Sequence, residues 1–397
     1  MSSLLNIIDI ENKLASFSKL QHEIGRDAAI LKLSKQYSLA EVSFLADQLQ
    51  GRAVAEDKFP SLAGRTDIIY PPSYYLEQTS SERTARFKAG LVSGQLLIDM
   101  TGGFGIDAWC FSEKIDDAFY IERDPVIFEI AAKNLQALNP AIETVCADSL
   151  EFLAKFDHVA DWLYLDPIRR NQNRRLSGMQ DFSPNLYEVR DLLFHKAHNI
   201  MVKLSPMTDI SQAIRAMDER VNAVYVLSVD NDCKELLLLS DGQHHTHPPV
   251  TCINWQGNAG QQFVYSPPVP KHPAVSDPLT YLYEPNAAVF KAQAYDAAAV
   301  AFELNKLHPN THLYTSAALH SDYPGKVYIV KDVLEFDAVK FRRSHAEPSY
   351  NIKTRNFPLS PAEVAKKLKI KEGGEQFVFC VRLKDGLRLI VCEKLTQ

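Results

Sequence analysis

Up to about Gly51, apolar residues recur at three- and four-residue intervals, at Leu4, Ile7, Ile8, Leu14, Ile30, Leu33, Val42, Leu45 and Leu49, which predicts several short helices. From Leu96 to about Ser240 the pattern changes. Compact apolar runs (LLID, AFYIE, ETVCA, WLYLD, IMVKL) alternate with stretches such as PVIFEIAAKNLQALN, whose Ile127, Ile130, Ala131, Leu135 and Leu138 keep the helical period. Such alternation predicts parallel strands with helices on both faces. The next two runs, VNAVYVLSV and CKELLLLS, are parted only by Asp230, Asn231 and Asp232. That spacer is too short for a parallel crossover, so the two must pair antiparallel. The expected fold class is α/β, five parallel strands closed by an antiparallel hairpin.

An aromatic, proline-rich loop, DIIYPPSYYLEQ, precedes this region, and Thr79-x-x-Glu82 reads as a capping box opening a helix that ends near Gly90. After Pro267 the stretch SPPVPKHPAVSDP reads as a linker, followed by a helix or two beside short strands. From about Val327 a last unit offers the strand YIVKDVLEF, the basic stretch KFRRSHAEPSYNIKTRNFPLSP, the helix AEVAKKLKI and a hairpin turned by Asp385-Gly386.

At 397 residues the chain exceeds what one hydrophobic core organises, and its 46% hydrophobic and 23% charged composition is that of folded globular protein. No run is long and apolar enough for a membrane helix, and the first residues lack a basic leader, so a cytoplasmic protein is expected. Six scattered cysteines without a CxxC pair support neither a zinc site nor a disulfide framework. His244, His245 and His247 lack a partner carboxylate or thiol at metal-binding spacing and read as a polar loop, so no metal is expected. Net charge is −6, yet the segment from Lys331 onward holds 14 Lys and Arg against 9 Asp and Glu. A basic end on an acidic body suits a polyanionic partner.

The chemistry concentrates at LLIDMTGGFGID. Gly103-Phe104-Gly105-Ile106-Asp107-Ala108 satisfies the dinucleotide pattern GxGxxG/A, with Glu122 onward as the acid. An acid at the strand tip, Asp99, would however repel a pyrophosphate, which disfavours a nicotinamide-dependent oxidoreductase. Four successive strand tips end in acids: Asp99, Glu122, Asp148 and Asp166. Ligands of open α/β sheets lie beyond those tips. A crevice ringed by carboxylates suits S-adenosylmethionine, whose sulfonium, ammonium, ribose diol and adenine amine all seek acceptors, and which has no phosphate. Taken singly, each acid also reads as a turn former or helix N-cap.

DMTGGFGID, IERD, CADS and YLDP resemble the successive motifs of class I S-adenosylmethionine-dependent methyltransferases. The helix preceded by Gln78, together with KLSP, YEPNAAVFKA, HLYTS and RNFPLSPAEVAKKLKIKEGG, resembles a bacterial methyltransferase family with a C-terminal THUMP-like part. The resemblance implies a Rossmann-like methyltransferase sheet. It also implies a cofactor set of Gln78, Asp99, Thr101, Gly103, Gly105, Glu122 and Asp148. In that set Asp99 and the glycines face the methionine end, Glu122 the ribose and Asp148 the adenine. The domain expectation is a helical region over 1–80, the methyltransferase domain over 81–270, a small ferredoxin-like α/β connector over 271–326 and a basic THUMP-like domain over 327–397.

In WLYLDPIRRNQNRR, Asp166 and Pro167 stand where this class places an acid and a proline to accept hydrogen bonds from a target amine, while Ile168 and Arg169 replace the usual second proline and aromatic ring. Asp166, Pro167 and Lys203, which stands at the fifth strand tip, form the candidate catalytic set. Arg169, Arg170, Arg174 and Arg175 fit either a solvated loop or a phosphate contact. Phe341, Arg342, Arg343, Lys353, Arg355 and Phe357 fit either an RNA-binding surface or an ordinary surface over two core rings. The leading expectation is a methyltransferase acting on RNA, a tRNA or rRNA base. Its rivals are an RNA-binding protein that keeps the fold without transfer chemistry, and a methyltransferase of a small molecule or protein.

Overall fold

The N-terminal periodicity folds into three helices, α1 (Ile7–Ile24), α2 (Arg26–Leu33) and α3 (Leu39–Lys58). Leu14, Phe17, Ala29, Val42 and Leu45 from all three bury together, and a Ser38–Glu41 capping box starts α3. The computed structural model describes residues 7–169, 179–257, 259–268, 272–345 and 347–395. Leu4, Arg170, Arg174 and Arg175, and the side chain of Arg169, lie outside what is described. The chain divides into two compact units, Met1–Lys203 with Ala216–Arg220 and Leu239–Gln243, and Leu204–Arg215 with Val221–Leu238 and His244–Gln397.

In the first unit, α4 (Ser73–Gln78) and α5 (Glu82–Ala89) follow the helical region. The start of α5 differs from the capping box expected at Thr79. Ser81 is the N-cap and accepts from the Thr84 N–H, whereas Thr79 closes α4, with its N–H and its hydroxyl both donating to the Tyr75 carbonyl. Glu82 is drawn away from the helix start by three donors, the N–H and hydroxyl of Ser61 and the Arg86 guanidinium. The predicted α/β alternation then appears as β1 (Leu96–Asp99), α6 (Ile106–Phe111), β2 (Asp117–Glu122), α7 (Pro125–Leu138), β3 (Glu143–Cys146), α8 (Ser149–Lys155) and β4 (Ala160–Leu165). A short antiparallel pair, β5 (Ile168–Arg169) and β6 (Phe182–Ser183), leads to α9 (Leu186–Lys196) and β7 (Ala197–Leu204).

These five longer strands are ordered β7-β4-β1-β2-β3 and run parallel throughout. Leu97, Ile98, Leu163, Leu165 and Val202 are fully buried, as expected of strands covered on both faces. Parallel pairing brings the carboxyl ends of all five strands to one edge. The four acidic tips therefore gather there because of strand direction alone.

The second unit begins with α10 (Ile210–Ala216) and the predicted hairpin, β8 (Ala223–Val229) and β9 (Asp232–Ser240). Asp230 and Asn231 sit at φ 50° and 63°, the left-handed pair that a tight hairpin turn needs. Two further strands, β10 (Val250–Gln256) and β11 (Ala259–Tyr265), lie beyond Ser240, where the apolar pattern is broken by Asn254, Gln261 and Gln262. β10 runs parallel to β8, and β11 turns back antiparallel on β10. The strands of this unit are ordered β11-β10-β8-β9.

A separate sheet occupies the C-terminal part. Its elements are β12 (Tyr281–Pro285), α11 (Ala287–Lys291), α12 (Tyr295–Ala301), β13 (Asn305–His308), β14 (Thr311–Ser316), β15 (Gly325–Glu335), α13 (Ala338–Ser344), β16 (Ser349–Arg355), α14 (Pro361–Leu368), β17 (Lys371–Leu383) and β18 (Gly386–Lys394). The strands are ordered β13-β14-β12-β15-β18-β17-β16. The boundary expected between 326 and 327 falls inside β15, and β12 pairs with β15, so the connector and the terminal module share one sheet. Phe341 and Tyr350 are buried with Val364 and Leu368, and Phe357 packs against that cluster. Those rings are core.

Candidate active site

A cavity of about 480 Å³ opens at the carboxyl ends of the first unit's parallel strands. Its lining includes Gln78, Thr101, Gly103, Gly105, Glu122, Asp148 and Asp166, seven of the residues expected from sequence. The turn between β1 and α6 forms its floor. Gly103 and Gly105 take φ 54° and 87°, which side chains rarely adopt, and Gly105 in the left-handed region is the N-cap of α6. Gly102 is required for packing instead: a Cβ there would stand 2.2 Å from the Tyr120 ring.

Glu122 is fixed by two backbone donors, Gly103 N–H at 3.0 Å and Asp124 N–H at 2.7 Å, one to each oxygen. Asp148 serves two purposes. Its Oδ1 caps α8 by accepting from the Leu150 and Glu151 N–H groups, and the residue also lines the cavity. The expected N-cap is thus found at a residue that also lines the cavity. Thr101 receives the Asp166 N–H on its hydroxyl at 2.7 Å, tying the glycine turn to the tip of β4.

Asp166 forms an ion pair with Lys203, which is 9% exposed and also donates to the Gln78 carbonyl at 3.4 Å. Burial pushes the Asp166 carboxyl above its ordinary range, while Lys203 and Lys88 pull it back. Lys203 and Pro167 do not line the cavity. Lys203 holds the Asp166 carboxylate through their ion pair. Asp99 is also withdrawn: it is 1% exposed, its Oδ1 accepts from the Thr101 N–H, and its Oδ2 accepts no hydrogen bond. Burial raises its carboxyl well above the usual range, and the neighbouring Asp107 and Asp166 charges add to the rise.

Several lining residues carried no signal in the sequence. Asp107 lies under the cavity with Lys88, which is fully buried. Lys88 Nζ stands 2.8 Å from Asp107 Oδ1, 2.6 Å from the Ser80 hydroxyl and 3.1 Å from the Tyr164 hydroxyl. Burial raises the Asp107 carboxyl, but Lys88 and Lys203 outweigh it and hold the group below its ordinary range. The opposite wall comes from Ser183, Pro184, Asn185, Glu188 and Val189, where Asn185 caps α9 and donates to Glu188 Oε1 at 2.7 Å. Tyr74 and Tyr75 meet edge to face at the rim, and the Tyr75 hydroxyl donates to Asp124. Among the described residues the lining carries six carboxylates, Asp107, Glu122, Asp124, Asp148, Asp166 and Glu188, against one guanidinium, Arg123.

Among the described residues no cluster of His, Cys, Asp and Glu is arranged to hold a metal ion, and no helix is long and apolar enough to cross a membrane. Lys353 and Arg355, which the sequence offered as an RNA-facing mixture, both pair with Glu284. Arg342 and Arg343 of α13 remain exposed.

Residues 281–324 match a family model described as a ferredoxin-like domain, and residues 325–394 match one described as THUMP domain-like. Uncharacterised S-adenosylmethionine-dependent methyltransferases from two strains of Mycobacterium tuberculosis are each 28% identical over 167 residues, 42% of this chain and 44% of theirs. The matched stretch thus spans under half the length of these curated relatives. A crystal structure of a candidate methyltransferase from Porphyromonas gingivalis W83 superposes with a TM-score of 0.83 at 28% identity, covering 97% of this chain and 99% of that one. Likeness along nearly the whole chain, together with motif residues gathered at one cavity, leads to one conclusion: the chain is similar to S-adenosylmethionine-dependent methyltransferases.

Proposed function

We propose that this protein transfers a methyl group from S-adenosylmethionine to a base of RNA. The observation that carries the cofactor reading is the charge of the cavity, six carboxylates to one guanidinium at the ends of parallel strands. Its donor set fits the cofactor: Glu122 is oriented to accept from a diol, Asp148 from an amine, and among the described residues no basic cradle for phosphates lines the site. The volume suits a ligand of that size. When bound, the cofactor supplies an electrophilic methyl group on a positively charged sulfur.

The chain's own residues position the acceptor. Lys203 takes up part of the Asp166 charge and holds its carboxylate in place, so that Asp166 accepts a hydrogen bond from an acceptor N–H. Ile168, 48% exposed at the rim, offers an apolar face to a flat base. The transfer is direct, assisted by alignment and by fixed charges.

The RNA reading is supported by the THUMP-like match and by the exposed cations of that module. Arg342 and Arg343 on α13 and Lys366 and Lys367 on α14 project from two helices that pack together. The test is incubation with radiolabelled cofactor and separate RNA, protein and small-molecule fractions from cells lacking the gene. Label is expected in RNA, reduced at least 100-fold by Asp166→Ala. Label in protein or small molecules instead would reject RNA as the substrate, and no label anywhere would reject the enzyme.

A further inference from the structure

We infer that Glu188 reads a ring N–H next to the amine that accepts the methyl group, which makes the acceptor base guanine and its exocyclic N2 the methylated atom. The inference rests on the RNA reading above and names the base.

Two short segments held together build this wall of the cavity. In the antiparallel pair of β5 and β6, Ile168 stands beside Ser183, so Asp166, two residues before the one, and Asn185, two residues after the other, lie at the same end of the pair. Asn185 then caps α9, and Glu188 follows in its first turn. All five line the cavity. What they leave unused is acceptor capacity. The Asp166 side chain is 30% exposed, with Oδ2 taken by Lys203 and Oδ1 accepting from no described residue. Glu188 is exposed; its Oε1 accepts from Asn185 Nδ2 at 2.7 Å, and its Oε2 accepts from no described residue. The side-chain donors of these five are the Ser183 hydroxyl and the Asn185 amide, and that amide is committed at both ends, its oxygen to the Tyr187 N–H and its nitrogen to Glu188.

Two anionic acceptors on one wall select a base edge that carries adjacent donors. Among the RNA bases, guanine alone sets a ring N–H, at N1, beside an exocyclic amine. Adenine and cytosine set an acceptor nitrogen there, which would meet the Glu188 carboxylate with like polarity, and uracil has no exocyclic amine. Asp166 Oδ1 therefore takes one hydrogen of N2 and Glu188 Oε2 takes the N1 hydrogen, while Ile168, Pro184 and Val189 offer apolar surface to the ring faces. In the transfer, the N2 lone pair forms the bond to the methyl carbon as the methyl–sulfur bond breaks, its electron pair staying on sulfur. N2 then gives up one of its hydrogens as a proton to Asp166, which passes it to water.

The test uses the full chain, radiolabelled cofactor and RNA from cells lacking the gene, the labelled RNA being digested to nucleosides and separated. Label is expected in N2-methylguanosine. Label in adenosine, cytidine or uridine, or elsewhere on guanosine, overturns the inference and leaves RNA methylation standing; no label in RNA rejects that reading and the inference with it. The part played by Glu188 is read on a synthetic RNA spanning the labelled position, made with guanosine there or with the 2-aminopurine nucleoside, which keeps the amine but lacks the N1 hydrogen. The wild type is expected to favour guanosine about 10- to 100-fold in kcat/KM. Glu188→Gln and Glu188→Ala are expected to lose most of that preference while binding S-adenosylhomocysteine as the wild type does. A merely structural Glu188 would slow both RNAs alike, so a wild type without preference, or a preference undiminished in the variants, overturns the assignment; either variant serves if the other does not fold.

Discussion

Two buried ionic clusters in this molecule have almost the same parts. In the first unit, Lys88 and Lys203 pair with Asp107 and Asp166 beside Asp99. In the second, Lys353 and Arg355 pair with Glu284 beside Tyr328. The difference lies in what remains unused. Glu284 has both oxygens engaged, Oε1 by Arg355 and Oε2 by Lys353 and Tyr328, and it does not line the cavity described above. Asp107 and Asp166 are held just as firmly, yet both line a cavity, and Asp99 Oδ2 beside them accepts no hydrogen bond. A saturated cluster joins strands, here β12 to β16 and β15. An unsaturated one beside a void is prepared for a ligand.

The comparison breaks most easily at Lys88. Replacing this fully buried ammonium by Met, in Lys88→Met, leaves the Asp107 carboxylate without its main counter-charge, and a loss of about 3–5 kcal/mol in unfolding free energy is expected by urea denaturation. Cofactor affinity should fall with it, because Asp107 loses both its charge state and its anchor. A variant as stable as wild type would show that Lys88 and Asp107 are not energetically coupled.

Glu284→Gln should separate the two clusters. Lys353 and Arg355 are 21% and 39% exposed, so water compensates part of the loss, and a destabilisation of about 2–3 kcal/mol is expected. Binding of S-adenosylhomocysteine, measured on the folded variant, should not change. A drop in affinity would mean that the saturated cluster is not purely structural.

The strand-end acids were legible before folding because strand direction and the alternation of short apolar runs are local properties. Asp99, Glu122, Asp148 and Asp166 end four such runs, and parallel pairing does the rest. The network behind them was not legible. Lys88 meets Tyr164, 76 residues away, and Asp107 meets Tyr164 across 57, separations at which neither propensity nor spacing carries information. Nor does sequence distinguish an acid at the cavity wall from one behind it: Asp99 and Asp107 flank the same turn, and only packing sends the first inward. In the C-terminal module the same limit left Phe341, Lys353 and Phe357 open between a nucleic-acid surface and a surface over two core rings, and packing decides it: the two rings are core and Lys353 is an ion-pair partner.

That contrast between Asp99 and Asp107 has a pH signature. The folded chain holds the Asp99 proton well above the 3.8 of an ordinary Asp, while the unfolded chain releases it near that value. Between the two the folded state binds more protons, so this residue's contribution to stability is complete below pH 3.8 and declines as pH rises toward the folded pKa. Asp99→Asn cannot ionise and escapes the decline. Its stability relative to wild type should therefore be flat in acid and should improve with rising pH, by at most about 1.4 kcal/mol per pH unit. Urea midpoints followed upward from pH 4 to 8 check this, and a difference independent of pH would show that Asp99 titrates normally.

The smallest effect expected separates the two duties of Asp148. Its Oδ1 caps α8, and its charge faces the cavity. Asn caps helices about as well as Asp, so Asp148→Asn should keep stability within about 0.5 kcal/mol, whereas Asp148→Ala should cost about 1 kcal/mol. If the carboxylate also serves the ligand, both variants should bind S-adenosylhomocysteine several-fold more weakly despite their different stabilities. Should affinity instead follow stability, falling only in Asp148→Ala, the residue's contribution is the helix cap alone, and the charge at the tip of β3 takes no part in recognition.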